Sequence, residues 1–295
     1  MKINKELVTL STIDLKKEDS IKETTIRDFL YKNPDVLGKV LGASNLQSFD
    51  FEKRQPNGGR LDLLFLDDED IQYEVELQLG ATDPSHIIRC IEYWDCEREH
   101  NPQREHFAVL IAENLTKRFF NVISLLRKSI PIIAIQLTAI SLPENKVGIS
   151  LIKILDLTDT CGENEHHAKE VEQNPEYWTI RSNSHMMKLL NNIFSELQSS
   201  VCQGYELKYN QQYIGLKQSG SPKNFITFIP QKSNVLLLIF CDEDPTIASY
   251  LSNSIDITRK DRRYYKLAIP DMDTFNKNKE YIKELIKSAK ERMGI

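Results

Sequence analysis

Residues 58–80, GGRLDLLFLDDEDIQYEVELQLG, constrain the chain more than any other stretch. Two apolar runs, 60–66 and 71–80, flank four consecutive acids at 67–70. Pro56-Asn57-Gly58-Gly59 just before them is a strong turn signal. The pattern predicts a β-hairpin, entered from a third strand over 44–55. Asp62 stands between Leu61 and Leu63 inside one strand, and Glu76 between Val75 and Leu77 inside the next. The period of two places Gln72, Glu74, Glu76 and Gln78 on one face. Val or Ile would be the stable choice in a sheet core, so the two carboxylates need another explanation.

The flanking elements set the fold class. Residues 20–32 predict a helix with Ser20 as N-cap and Glu23 as its capping-box partner. Ile21, Ile26, Phe29 and Leu30 would form its apolar face, and Asn33-Pro34 would end it. Residues 83–99 predict a second helix, with Asp83 as N-cap and Pro84 at its first position. An apolar strand at 106–113, a helix at 116–128 and strands at 130–142 and 146–155 complete an α/β domain with a mixed sheet. Residues 158–176 lose apolar periodicity, turn polar and read as a linker or as exposed helix and loop. Beyond them, helices at 185–201 and 276–293 enclose strands at 211–218, 224–231, 235–241 and 262–269, a small α+β unit. The expected organisation is therefore a domain over 1–157, a linker over 158–180 and a second domain over 181–295.

Composition limits the function classes. No apolar run approaches the roughly 20 residues of a membrane span, and the charged start has no apolar signal core, so a cytoplasmic protein without membrane contact is expected. Five cysteines without a CxxC pair point to reduced thiols. The net charge of -5 hides an asymmetry. Residues 201–295 carry 15 Lys and Arg against 11 Asp and Glu, a net of +4, and residues 1–200 a net of -9. Arg259, Lys260, Arg262 and Arg263 run into Tyr264 and Tyr265, a composition suited to phosphate contact with base stacking, or to an ordinary charged loop. Cys161, His166 and His167 are a metal patch or plain surface residues.

Asp62 and Glu76, on neighbouring strands, would lie within about 4.5–8 Å of one another. Two like charges so close call for a cation between them, and Mg²⁺ is commonly held by one or two carboxylates plus waters and a substrate phosphate. The alternative is a pair of solvated strand carboxylates. Glu74 shares the face of Glu76 and is the other acid able to serve.

Asp62, thirteen intervening residues and then Glu76-Leu77-Gln78 resemble the PD-(D/E)XK (restriction-endonuclease-like) nuclease superfamily. Its core order of helix, three-stranded meander, helix and strand is similar to residues 20–113. The resemblance implies a Mg²⁺- or Mn²⁺-dependent endonuclease acting on DNA in repair or defence, with Asp62 and Glu76 as metal ligands. Glu23 falls where many members carry a helical acid. Gln78 falls where the family has a Lys that orients the attacking water, and Leu61 where Pro is common. Lys53, on the neighbouring strand, is a substitute source of charge. His86, Arg89 and Tyr93 recur along one helical face, opposite Ile87, Ile88 and Ile91. LQLGATDPSHIIRCIEYWDCER is similar to a subgroup in which this helix flanks the metal site. Arg89 and Arg60 would then hold phosphate, with His86, Tyr93, Arg262 and Arg263 as further substrate contacts. The 181–295 unit resembles an accessory domain that helps hold DNA. Cutting both strands would favour a two-fold homodimer. RNA is the less favoured substrate. The other reading is a nuclease-fold module, catalytically weak or inactive because of Gln78, that binds DNA or a protein partner.

Overall fold

A computed structural model describes residues 9–127, 129–155, 174–242, 256–260 and 264–295, which form two compact units. The first unit opens with β1 (Thr12–Ile13), α1 (Glu23–Lys32) and α2 (Pro34–Leu41). It continues through β2 (Gln47–Arg54), β3 (Arg60–Leu66), β4 (Ile71–Ala81), α3 (Pro84–His100) and β5 (Glu105–Asn114). α4 (Lys117–Leu126), β6 (Ile132–Leu142) and β7 (Lys146–Leu155) complete it. The strand order is β1-β6-β5-β4-β3-β2, with β7 also paired to β6. β5 and β6 run parallel, whereas β2/β3, β3/β4 and β6/β7 are antiparallel, so the sheet is mixed. The fold is α/β, and the helix, three strands, helix, strand order expected from the sequence is present.

Each face of the sheet is covered by its own helices. Ile26, Leu30 and Leu37 of α1 and α2 pack on Leu63, Phe65, Val75 and Val109. Ile87, Cys90 and Trp94 of α3 and Ile123 of α4 pack on Ala108, Leu110, Ile132 and Ala134. The acidic turn has a structural use. Asp67 Oδ1 accepts from the amides of Glu69 (3.0 Å) and Ile71 (2.9 Å), which closes the hairpin.

Three local expectations change. Ser20 is not the cap of α1, because its hydroxyl donates to Glu18 at 2.6 Å and the helix begins at Glu23 after Lys22. Pro34 does more than end α1, since it also occupies the first turn of α2, a position where its missing N–H costs nothing. On α3 the buried stripe is Ile87, Cys90, Tyr93, Trp94 and Glu97, and Ile88 is 62% exposed. The apolar face expected from Ile87, Ile88 and Ile91 is thus rotated toward Tyr93.

The second unit holds α5 (Pro175–Arg181), α6 (Ser184–Gln198), β8 (Glu206–Tyr209), β9 (Ile214–Gln218), β10 (Ser221–Pro222) and β11 (Ile226–Pro230). β12 (Val235–Ile239), β13 (Asp256–Lys260), β14 (Tyr264–Ile269) and α7 (Met272–Arg292) follow. Its sheet order is β10-β9-β11-β12-β14-β13, with β8 on β9, and β10/β9, β9/β11, β11/β12, β12/β14, β13/β14 and β8/β9 are all antiparallel. α5 overlaps the end of the stretch expected to be a linker, and its Trp178 is buried in the core of this unit. Tyr264 and Tyr265 are buried in the unit, so they do not offer the stacking surface their sequence suggests. Arg262, Arg263, Cys161, His166 and His167 lie outside the described residues. Among the described residues, no helix is long and apolar enough to cross a membrane.

Candidate active site at a fork in the sheet

The β3/β4 ladder runs from the Leu66–Gln72 pair to the Leu63–Val75 pair and stops there. Amides two residues apart on one strand point the same way, so the next ones along that edge of β4 need new partners. Carboxylates supply them. Asp62 Oδ2 accepts from the Leu77 amide at 2.9 Å, and Glu23 Oε2 from the Leu79 amide at 3.3 Å. Asp62 sits inside a strand because it replaces a ladder bond where two strands part. Glu23 enters from the first turn of α1 and caps the next amide.

Glu76 stands beside this fork with a side chain 1% exposed. Its Oε2 lies 3.4 Å from Arg89 Nη2 on α3, and its Oε1 is buried without a hydrogen-bond partner among the described residues. Burial, reinforced by the Asp62 charge, pushes the Glu76 pKa up to about 9 against the pull of Arg89; the Glu23 charge adds to the rise. Burial also raises the Asp62 pKa, against the Leu77 amide and Arg27. Arg27 Nη1 is 3.3 Å from Asp62 Oδ1, and Arg27 Nη2 is 3.0 Å from Glu52. Its guanidinium lies over the Phe51 ring at 4.8 Å. Glu52 falls between the Phe51–Leu63 and Lys53–Leu61 pairs, across from Asp62, and has φ 48°, rare for a side-chain-bearing residue.

The remaining predicted residues sit as follows. Gln78 is 4% exposed and turned toward α3. Its amide nitrogen donates to the Ala81 carbonyl (2.9 Å) and the Asp83 carboxylate (3.2 Å), and its oxygen accepts from the Asp83 amide. It anchors the N-terminus of the helix that carries Arg89. His86 Nδ1 is 3.2 Å from Asp83. Arg60 is more than half exposed and faces Glu52 at 3.7 Å, not Asp62. Tyr93 is 3% exposed and packs on Leu61 and Leu64. A Cβ on Gly59 would lie 2.0 Å from its hydroxyl. Lys53 does not reach the pair, because its ammonium is 2.7 Å from Glu97. Glu97 also accepts from Gln55 (2.8 Å) and Gln72 (3.1 Å), in a second buried network. Glu74 belongs to that network, hydrogen-bonded to His106 Nδ1 at 2.7 Å and to Gln72 at 3.1 Å. Arg27 and Glu52 are site residues not singled out from sequence, and of the two Arg27 carried a sequence signal. It stands four residues after Glu23 on the same helical face.

Among the described residues no group of three His, Cys, Asp or Glu side chains could hold a metal ion. The chemistry of the donor set instead suits an ion held by two carboxylates with waters completing its shell, as Mg²⁺ prefers. The unpartnered buried Glu76 oxygen fits such an ion. Beside the pair, Glu23, Gln78, Asp83, His86, Lys16 and Lys22 line a cleft of about 420 Å³.

No protein-family model matches the chain, and no curated protein matches it. Among solved structures it is similar to a repair endonuclease from Pyrococcus abyssi, at 19% identity and a TM-score of 0.31. That likeness covers 38% of this chain and 46% of the other. It is also similar to EndoMS in a complex with dsDNA, at 17% identity and a TM-score of 0.32, over 46% of this chain and 49% of that one. The chain spans about half the length of the solved chains it matches.

Proposed function

We propose that the chain is a metal-dependent nuclease of the PD-(D/E)XK type that hydrolyses DNA phosphodiester bonds, with Asp62 and Glu76 as ligands of Mg²⁺ or Mn²⁺. The observation that carries the reading is the buried, unpartnered Glu76 oxygen beside Asp62 at the sheet fork. An uncompensated acid in a sheet core costs stability and persists where it has a use. A divalent cation bound there supplies polarisation of a phosphoryl oxygen and a lowered pKa for its bound water. The chain's own residues do the positioning. The Leu77 amide fixes the Asp62 carboxylate on the rigid end of the hairpin. Arg89, with a side chain 43% exposed, turns from Glu76 to a substrate phosphate, for which its planar fork is suited. Glu23 and His86 border the cleft that receives the strand beside the scissile bond. Gln78 acts at one remove, by holding the helix that carries Arg89.

The test is cleavage of supercoiled plasmid, labelled single-stranded DNA and RNA with Mg²⁺, Mn²⁺ or EDTA, in wild type and Asp62→Ala. Metal-dependent DNA cleavage lost in the variant supports the reading. Absence of cleavage under every condition overturns it. A second reading has its own support: Gln78 brings no charge, and both its amide hydrogens are engaged away from the pair. On that reading the fold binds DNA or a protein partner without turnover, and salt-sensitive DNA binding would survive Asp62→Ala.

A further inference from the structure

Asp62 is partly neutralised by Arg27, and Arg27 has a second acceptor within reach. The arginine is 9% exposed and spans two carboxylates on different strands. The shorter approach is to Glu52 and the longer to Asp62. Its Nε is buried without a hydrogen-bond partner among the described residues, so the guanidinium has a donor to spare. Glu52 meets it from a backbone conformation that L-residues rarely adopt. Arg60, the other cation near Glu52, is 3.7 Å away and more than half exposed.

We infer that Arg27 is a positioning residue with two stations, one bridging Asp62 and Glu52 and one on Glu52 alone, the second taken when Asp62 binds a divalent cation. The inference rests on the metal-site reading of Asp62 and Glu76. A guanidinium a few ångströms from a dication is repelled, and the repulsion is strong where water is partly excluded. A pivot of the guanidinium over the Phe51 ring satisfies both groups without moving α1. The planar fork can engage the two oxygens of Glu52 alone. Glu52 therefore acts on the metal through Arg27, and it is the acceptor that lets Asp62 be released.

The experiment is calorimetric titration of the full chain with Mn²⁺ alone, in wild type, Arg27→Met, Glu52→Gln and the double variant. Arg27→Met keeps the apolar stem and removes the competing charge, so Mn²⁺ affinity should rise about tenfold. Glu52→Gln leaves Arg27 with Asp62 as its anionic partner among the described residues, so affinity should fall several-fold. The double variant should match Arg27→Met, because Glu52 works only through Arg27. A merely structural salt bridge would weaken binding in both single variants, and that result overturns the inference. Should Arg27→Met fold poorly, the half-exposed Glu52→Gln decides alone, with unchanged affinity overturning the inference. Wild type that takes up Mn²⁺ indifferently to all variants refutes the two stations and leaves the metal site standing. Wild type that takes up none removes both.

Discussion

Replacing Glu76 with Gln should stabilise the metal-free protein at neutral pH. The carboxyl is 1% exposed, and burial followed by the Asp62 charge raises its pKa from 4.5 to about 9. Below 4.5 the group is protonated in both folded and unfolded chains, and its contribution to stability is fully present. Above 4.5 the unfolded chain releases a proton that the folded chain retains, so stability is lost as pH rises toward 9. At pH 7 the gap is roughly 2.5 pH units, which at about 1.36 kcal/mol per unit sets a ceiling near 3 kcal/mol. Gln keeps the shape and does not ionise, and the half-exposed Arg89 can turn to water. Urea unfolding in EDTA at pH 5, 7 and 8.5 measures the effect. The variant's advantage should be small at pH 5 and grow through pH 7, and added Mg²⁺ should stabilise wild type alone. A variant less stable than wild type at pH 7, or an advantage that does not grow with pH, refutes the reasoning that this carboxyl is uncompensated.

Three further outcomes are expected. Asp62→Ala leaves the Leu77 amide without its acceptor and should cost about 1–3 kcal/mol in urea unfolding, whereas Asp62→Asn, which can still accept, should cost less and be equally inactive in plasmid cleavage. Glu74→Gln should flatten the pH dependence of stability between 4.5 and 7, because burial raises the Glu74 pKa to about 7 despite His106 and stability is lost over that window as pH rises; thermal melts across it give the slope. Gln78→Lys should not speed cleavage, since the new ammonium would be drawn to Asp83 and the Ala81 carbonyl; a faster variant in single-turnover assays would show that the position faces the reaction.

The hairpin was legible because its evidence is local. Alternation, an acidic turn and a Pro-Asn-Gly-Gly break all lie within some 25 residues. Asp62 and Glu76 stood out for the same reason, as charges in an apolar alternation. What could not be read depends on partners far along the chain. Glu23 fits a capping box with Ser20 in sequence, yet its carboxylate serves the Leu79 amide, whose need arises only because β3 leaves β4. Tyr93 looks like a polar face residue until Gly59 supplies the space for its ring. Glu52 reads as an ordinary strand acid, and its positive φ has no sequence signature. Lys53 was a reasonable source of charge by position, but Glu97, 44 residues later, holds it. Pro34 reads in sequence as a stop, although the same ring geometry that ends one helix starts the next.

The approach of Tyr93 to Gly59 couples the turn before β3 to the chemistry of the pair. Gly59 has no positive φ to explain it; it is required because the phenol occupies the place of its side chain. Tyr93 is one helical turn beyond Arg89 on α3, so whatever displaces the phenol tilts the helix that carries the arginine. The spacing between Arg89 and Glu76 is therefore set in part by a backbone turn that contains neither. Drift in the length or composition of that turn would retune the site without touching a single charged residue, and Gly59 is where such drift is arrested.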